Sequence, residues 1–394
     1  MLFEDARQAW ARFLAPTSLD EFLDQMLRGG FRKLPGTEAG PRAQLLGPDP
    51  EALLGEAHAL ATRLTFHSAN PSGAAPSLQG VTDAADFRAR IAEFHARNYS
   101  VRFPELRPLS APLDQLARAL EVLLLQPVTT SAFWSRGGMR APVHFDDHDL
   151  LVVQLRGRKR WYVTQRASEL PNVWKGIPTE DTLRLGEPAV LDLLPGEMLY
   201  LPRGTLHTVD SDTASLHVAI GFTPVTVREL VLAALDHLSD MQPRLRATAG
   251  QRLGFQLQFH GEEQLAPLVV DAVEQLRAAA RTPGFLTSAL QRRASRAVSG
   301  LAPLVAPAAG AGLGLDSELV QAPAAFCHLS ANAEKIDFSY PGGHVYLHRG
   351  VEASLVFMVN TPRFRVRDVP GTIGDDVRLS LATTLVQAGY LKYA

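Results

Sequence analysis

Residues 141–150 read Ala-Pro-Val-His-Phe-Asp-Asp-His-Asp-Leu, and they place His144 and Asp146 one residue apart. A second stretch, residues 199–207, reads Leu-Tyr-Leu-Pro-Arg-Gly-Thr-Leu-His and ends at His207. Two imidazoles and one carboxylate are the protein ligands of many non-haem iron(II) sites. Three protein ligands also leave coordination positions open, as a catalytic metal site requires. We therefore interpret His144, Asp146 and His207 as a metal triad.

The spacing of the first two ligands is typical of a β-strand. Side chains alternate between the faces of a strand, so His144 and Asp146 are expected to face a barrel interior, with Phe145 pointing outward. His148 and Asp149 offer an alternative ligand pair, but a register shift of one residue would turn them to the wrong face. We therefore expect Asp149, like Asp147, to be an outward or supporting residue.

Strand and turn signals surround the three ligands. Residues 150–163 are rich in Val, Leu, Trp and Tyr and are interrupted at Gly157, which predicts two strands joined by a turn. Residues 189–204 repeat this pattern, with a turn at Pro195-Gly196 and a second turn after Pro202. A jelly roll brings its first and last core strands side by side, which would carry His207 to the other two ligands.

The motifs Pro-Val-His144-Phe-Asp146 and Gly157-Arg-Lys159-Arg-Trp, together with residues 194–207, resemble the JmjC-type cupins of the ribosomal oxygenase family. The resemblance is strong over residues 95–225 and covers the rest only at the level of organisation. It implies an α+β protein whose catalytic core is a double-stranded β-helix, the cupin or JmjC jelly roll. It also implies the use of iron(II), of 2-oxoglutarate as co-substrate and of O₂.

The resemblance also assigns a role to Lys159. In the family, a basic residue 15 positions after the first ligand histidine binds the distal carboxylate of 2-oxoglutarate, and Lys159 occupies that position. An unpaired carboxylate inside an apolar barrel would be costly, so a cation is needed there. Arg158 and Arg160 have the opposite strand parity and are expected to point outward. Ser131, Tyr162 and His217 are further candidates for co-substrate contact, although a histidine in the setting of His217 is more often a hydrogen-bonded core residue than a ligand.

Composition is compatible with a globular protein of several domains. The chain has 394 residues, 46% of them hydrophobic, and a formal net charge of −2, which gives no strong signal for nucleic-acid binding. Its single cysteine, Cys327, excludes an intramolecular disulfide and suggests a reducing cytoplasm. Acidic residues near Met1 argue against a signal peptide, and the lack of a long uncharged apolar run argues against a membrane span.

The chain divides at changes of composition. We predict a catalytic domain over residues 1–222, with N-terminal helices and a cupin core from about residue 95, and helical segments over residues 223–300. In the family, the helical segment forms a homodimer; a helical cap on its own barrel is the alternative. Residues 302–314 are rich in Ala, Gly and Pro and are interpreted as a linker.

Residues 301–394 are expected to end in a winged-helix-like domain, as in the family. Strands are predicted over residues 343–349 and 353–359, and a helix over residues 375–389, with Gly389 at its C-terminal cap. The predicted helix contains a single basic residue, Arg378, so we expect a structural or protein-interaction role rather than DNA binding.

The resemblance implies hydroxylation of a protein side chain, with arginine or histidine of a ribosomal protein as the expected target. Hydroxylation of a peptide natural product or a small molecule uses the same scaffold and stays open. A function of another class also stays open: a non-catalytic metal-binding cupin that acts as an interaction module. Lys159 favours the enzyme, because a metal site alone has no need of a cation beside it.

Overall fold

The structure, a computed structural model, describes residues 3–165, 184–253, 256–259, 262–305, 312–323 and 325–394. Its contacts divide the chain into two compact units, the first ending at Pro224 and the second beginning at Val225. Among the described residues, no helix combines the length and the apolar character needed to cross a membrane.

The first unit opens with helices and short strands. Its helices are α1 (Phe3–Leu14), α2 (Leu19–Arg28), α3 (Pro50–Gly55), α4 (Ala84–Ala96) and α5 (Ala111–Leu124). Short 3₁₀ helices cover Pro41–Gln44, His58–Arg63 and Arg107–Leu109. The strands among them are β1 (Arg32–Leu34), β2 (Thr65–His67) and β3 (Ser100–Pro104). Ser18 caps the N-terminus of α2, because its hydroxyl accepts a hydrogen bond from the Glu21 N–H at 3.1 Å.

The predicted barrel strands follow α5. They are β4 (Val128–Ser135), β5 (Met139–Arg140), β6 (Asp149–Arg156), β7 (Lys159–Val163), β8 (Ala189–Leu193), β9 (Met198–Leu201), β10 (His207–Ser211) and β11 (Ser215–Phe222). They form two antiparallel sheets in the orders β1-β9-β6-β11-β4-β3-β2 and β5-β10-β7-β8. Buried side chains from both sheets pack against each other, for example Val152 and Leu199 against Trp161 and Val209. The double-stranded β-helix predicted from the sequence is confirmed.

Gly157 explains how the chain changes sheets. The strand before it, β6, lies in the larger sheet, and the strand after it, β7, lies in the smaller one. Gly157 has a φ of +61°, and a Cβ there would lie 1.9 Å from the carbonyl oxygen of Ala214. Only glycine combines this conformation with so close an approach. The turns predicted at Gly157 and at Pro195-Gly196 are both confirmed, and Gly196 also has a positive φ, of +84°.

The second unit contains three longer helices followed by two small sheets. Its elements are α6 (Val227–Met241), β12 (Gly250–Leu253), β13 (Gln256–Phe259), α7 (Glu262–Ala279), α8 (Phe285–Ser299), β14 (Glu318–Gln321), β15 (His328–Ala331), β16 (Lys335–Tyr340), β17 (Gly343–His348), α9 (Glu352–Asn360), β18 (Arg363–Arg365), α10 (Asp375–Gln387) and β19 (Leu391–Tyr393). Short 3₁₀ helices cover Pro243–Arg246, Arg349–Val351 and Val366–Asp368. The small sheets have the orders β18-β14-β19 and β15-β16-β17, and β12 pairs with β13.

One element of the second unit was predicted wrongly. Residues 353–359 were expected to form a strand, but they lie in the helix α9. The buried residues Leu355, Met358 and Val359 follow a spacing of three and four, which puts them on one helical face toward the core of the unit. The helix expected at residues 375–389 is present as α10, and Gly389 lies just past its end with a φ of +71°.

Other expectations about this unit stay predictions. Residues 306–311 of the expected linker lie outside the described residues. Two further points stay predictions: the winged-helix character of the C-terminal part, and the domain limits at residues 222 and 300.

Candidate metal centre

A cavity of about 710 Å³ lies against the inner face of the barrel sheets. Its wall includes the three predicted metal ligands together with Lys159, Trp161 and His217. The cavity is too large for a metal ion alone, and it leaves room for small organic molecules or a side chain.

The three predicted ligands meet in this cavity. One ligand atom from each of His144, Asp146 and His207 lies within 4.8 Å of the other two. Within the described residues, no other group of three or more His, Cys, Asp or Glu side chains is arranged in this way. The structure thus brings the three predicted ligands together.

The backbone reason for this convergence differs from the predicted one. His144 and Asp146 do not belong to a strand, because β6 begins only at Asp149. An isolated antiparallel bridge joins His144 to His207, with N···O distances of 3.0 and 2.8 Å. Phe145 is buried but, unlike His144 and Asp146, it does not line the cavity. The predicted alternation of faces therefore holds for residues 144–146, although their position depends on pairing with the start of β10 and not on a strand of their own.

Hydrogen bonds orient both imidazoles. Nδ1 of His144 lies 2.9 Å from the carbonyl oxygen of Pro142, and Nδ1 of His207 lies 2.9 Å from that of Thr205. A carbonyl oxygen only accepts, so in each ring Nδ1 carries the proton and Nε2 keeps its lone pair. Nε2 of His207 lies 3.6 Å from Oδ2 of Asp146. Both lone pairs are thus available to a shared metal ion. Histidines that bind metals commonly make such a hydrogen bond through their other ring nitrogen, and it fixes the orientation of the ring.

The protonation state of His207 also suits a ligand. Burial, reinforced by the neighbouring His144, lowers the pKa of His207 to about 4, although Asp146 opposes this shift. The imidazole is therefore neutral near pH 7, which is the form that binds metals. Two imidazoles and one carboxylate on one side of an open cavity fit a divalent iron-type ion.

Lys159 lies in the same cavity and is fully buried. Its ammonium donates to the carbonyl oxygen of Phe133 at 3.2 Å, and no described carboxylate lies within salt-bridge distance of it. Burial lowers the pKa of Lys159 to about 7. A buried cation without an anionic partner is costly, so this position is suited to a ligand that brings its own negative charge.

Strand alternation in β7 holds as predicted. Lys159 and Trp161 are buried, whereas Arg160 extends to the other face and donates to Asp192 at 2.9 Å. Arg158 likewise forms an ion pair with Asp212. Tyr162, predicted as a candidate for co-substrate contact, is not brought to the cavity. Its ring shares the outer face with Arg160 and lies 5.8 Å from the guanidinium of Arg140.

Ser131 and His217, the other two candidates, both line the cavity. Ser131 accepts a hydrogen bond from Arg102 at 3.0 Å. The His217 ring stacks on Phe133 with centroids 4.9 Å apart, and burial holds the pKa of His217 well below its usual range. His217 lies among Lys159, Trp161 and His207.

Two cavity residues, His67 and Arg102, were missed by the sequence analysis. They lie on β2 and β3, which extend the larger sheet beyond β4: Arg102 pairs with Phe133, and His67 pairs with Ser100. The guanidinium of Arg102 lies 5.9 Å from the centre of the Phe133 ring. The alternation of Val101, Arg102 and Phe103 was a signal for a strand, but nothing in the sequence connected that strand to the metal ligands.

Comparison with known proteins agrees with this geometry. A family model described as "JmjC domain" matches residues 109–230. "Uncharacterized protein YxbC" of Bacillus subtilis is 34% identical over 117 residues, which are 25% of this chain and 34% of that protein. "Ribosomal oxygenase 2" of Rattus norvegicus is 27% identical over 135 residues, 34% of this chain and 28% of that protein. The chain thus aligns with about a third or less of the length of these relatives.

The fold as a whole has solved counterparts. A structure of YcfD from Escherichia coli superposes with a TM-score of 0.57 at 15% identity, covering 96% of this chain and 98% of that one. YcfD, described as a ribosomal oxygenase, has also been solved with cobalt and 2-oxoglutarate, and that structure gives a TM-score of 0.54. At this identity the likeness establishes a common fold. The chain therefore has the fold of these solved structures, and its residues 109–230 match the JmjC domain.

Proposed function

We propose that the chain is an iron(II)- and 2-oxoglutarate-dependent oxygenase that hydroxylates a side chain of a protein. The observation that carries this proposal is the buried Lys159 ammonium, which shares one cavity with the His144, Asp146 and His207 cluster. A dicarboxylate that chelates a metal with its 2-oxo acid end and reaches a cation with its far end satisfies both features. A site that only binds metal leaves the cost of burying Lys159 unexplained.

Each residue has a separate task in this proposal. His144, Asp146 and His207 would hold the iron(II), which would supply the oxidising chemistry with O₂ as the oxidant. One oxygen atom would enter the succinate that forms, with CO₂, from 2-oxoglutarate, and the other would hydroxylate an unactivated C–H bond. Lys159 binds the distal carboxylate of the co-substrate. Ser131 and His217 line the wall near that path, and Trp161 covers the His207 ring at 5.7 Å and keeps water from the inner end of the cavity.

Polar residues line the part of the cavity that we assign to the protein substrate, called the client below. His67 and Arg102 form one wall, and the Asp147 carboxylate, bound to His148 at 2.7 Å, lies at another. We assign these residues to contact with the protein client. Relatives named ribosomal oxygenase support a ribosomal protein as that client, and a relative named histidyl-hydroxylase supports histidine as the modified residue. Arginine is the other target that the family resemblance implies. The single cysteine supports a cytoplasmic location.

The proposal includes a homodimer built on the helices of the second unit. Exposed apolar side chains lie on α6, α7 and α8, and they include Leu230, Val231, Val269, Val273 and Leu290. Clustered exposed apolar side chains of this kind commonly mark protein interfaces. A second copy of the chain is the occupant that we assign to this surface.

Replacing Asp146 should remove metal-dependent activity. Asp146→Ala should abolish succinate formation from 2-oxoglutarate, because the remaining two imidazoles cannot hold the iron in place. It should also remove the weak visible charge-transfer band that the wild-type protein should give with iron(II) and 2-oxoglutarate under anaerobic conditions. Asp147→Ala is the matched control, since it deletes the adjacent exposed carboxylate and should keep the band. An Asp146→Ala variant with normal turnover would exclude Asp146 from the site.

Lys159 should make co-substrate affinity depend on pH. The free protein holds the pKa of Lys159 at about 7, whereas a bound carboxylate raises it. Affinity for 2-oxoglutarate should therefore be full below about pH 7 and should fall by up to roughly tenfold per unit as the pH rises above it. Titration of the visible band between about pH 6.5 and about pH 9 measures this. The titratable groups near the ammonium, His217 and His95, are kept neutral by burial, the latter with its pKa lowered to about 4.

Two variants separate charge from packing at this position. Lys159→Met keeps most of the volume and should weaken 2-oxoglutarate binding by roughly tenfold to a hundredfold at neutral pH, because a charge-assisted hydrogen bond is lost. Lys159→Arg keeps a positive charge throughout this pH range and should flatten the profile. Equal affinities for the wild type and Lys159→Met at every pH would contradict the assignment.

The ribosomal client can be tested by mass. Intact masses of the ribosomal proteins from cells expressing the wild-type chain should include one protein heavier by a single oxygen atom than in cells expressing Asp146→Ala. Fragmentation should locate the oxygen on an arginine or histidine side chain. Identical masses in the two strains, with active wild-type enzyme present, would exclude a ribosomal client and would leave the oxygenase chemistry standing.

The dimer can be tested by introducing charged side chains into the proposed interface. Val269 and Val273 are 62% and 57% exposed and lie four residues apart on α7, so they share one helical face. The double variant Val269→Asp with Val273→Asp should halve the molar mass measured by light scattering, because charges are costly in an apolar interface. Leu27→Asp, at an exposed position of α2, is the control and should not change the mass. A wild-type chain with the mass of a monomer would refute the dimer.

A further inference from the structure

Backbone hydrogen bonds join the segments that carry the candidate ligands. His144 and Asp146 precede β6, whereas His207 opens β10. The bridge between His144 and His207 joins them, and the N–H of Gly204 donates to the carbonyl oxygen of Asp146 at 2.9 Å. One further link between the same two segments is made by a side chain, that of Asp149.

Asp149 is the first residue of β6 and is buried, with an exposed fraction of 3%. Its Oδ2 accepts a hydrogen bond from the hydroxyl of Tyr200 at 2.6 Å, and its Oδ1 accepts one from the backbone N–H of Arg203 at 3.0 Å. Both bonds end on the stretch that leads from β9 into His207. Tyr200 is itself held in place, since its ring packs edge-on against Phe22 with centroids 5.6 Å apart.

The burial of this carboxylate needs a reason. Burial raises the pKa of Asp149, although both hydrogen bonds oppose this shift, so the protein keeps an ionisable group where its charged form is disfavoured. Asp149 is not among the residues that line the cavity, which leaves no direct contact with metal or substrate for it to make. Its bonds run only between the two segments that carry the ligands.

We propose that Asp149 is a positioning residue of the metal centre, which holds the turn before His207 in register with the segment that carries Asp146. This inference rests on the proposed metal-binding role of the triad. With Asp149 in place, Nε2 of His207 and Oδ2 of Asp146 stay at a separation that one ion can bridge. Without it, the turn at residues 202–206 keeps its backbone links but loses the side-chain bonds at Arg203 and Tyr200.

The expected effect is a loss of metal affinity in a folded protein. Removing groups that orient metal ligands typically lowers affinity roughly tenfold to a hundredfold, and Asp149→Ala should fall in this range. Tyr200→Phe removes one of the two hydrogen bonds and keeps the buried ring, so its loss should be smaller. Asp149→Asn keeps one acceptor oxygen and should lie between Asp149→Ala and the wild type.

The test is a titration of the full-length metal-free protein with cobalt(II), followed by visible absorption. The cobalt band reports both affinity and coordination geometry, and a role limited to fold stability would leave both unchanged in the folded protein. Glu121→Gln is the matched control: Glu121 is a buried carboxylate of the same unit that binds Arg107 and Arg118 and does not line the cavity. Circular dichroism establishes that each variant is folded.

The outcomes separate the two proposals. Weaker cobalt binding or a changed band in the Asp149 and Tyr200 variants, with Glu121→Gln like the wild type, would support the positioning role. Wild-type binding by both Asp149→Asn and Tyr200→Phe would overturn it, even if Asp149→Ala fails to fold. An equal loss in Glu121→Gln would overturn it as well. A wild-type protein that binds no cobalt, or a His207→Ala variant that binds it fully, would instead refute the metal site itself.

Discussion

The two backbone hydrogen bonds between His144 and His207 are the interaction on which the candidate site depends. They join an irregular segment before β6 to the first residue of β10, which lies 63 positions further along the chain. A bridge of this kind brings the Cα atoms of the two residues to within about 5.5 Å, so their rings must meet. The ring centroids are in fact 4.3 Å apart. Strands on either side hold this bridge, since β10 pairs with both β5 and β7.

The two ends of the cavity differ in charge. The end near the triad offers two imidazoles and a carboxylate, while the inner wall offers an ammonium that donates, within the described part of the chain, to the carbonyl oxygen of Phe133. Burial acts on both ends, because it keeps His207 neutral and brings the pKa of Lys159 to about 7. The energetic cost of an unpaired cation is offset only when an anion arrives, so the cavity is better suited to its ligand than to water.

Sequence reasoning succeeded where local rules decide the structure. Gly157 and Gly196 take the positive φ values that only glycine adopts readily, so the turns could be predicted from residue type. Alternation along β7 separated Lys159 from its arginine neighbours, because a paired strand must alternate. The same alternation holds at residues 144–146, although a single bridge and not a strand positions them. Alternation alone could not identify residues 353–359 as a helix. Seven mostly apolar residues fit a strand as well as a helix when both sides of the element are covered.

The sequence by itself determined the residues of the candidate site: two histidines, one aspartate and one lysine, at spacings that resemble those of a known family. It also determined the strands and turns of residues 150–163 and 189–204, because glycine conformation and side-chain alternation are properties of short segments. Only the tertiary structure decided that His67 and Arg102 join the cavity and that Tyr162 does not. The same holds for Asp149, which connects the ligand segments through Tyr200 and Arg203. These contacts depend on which strands become neighbours across the sheet, and pairing between distant segments leaves no periodic signal in the chain.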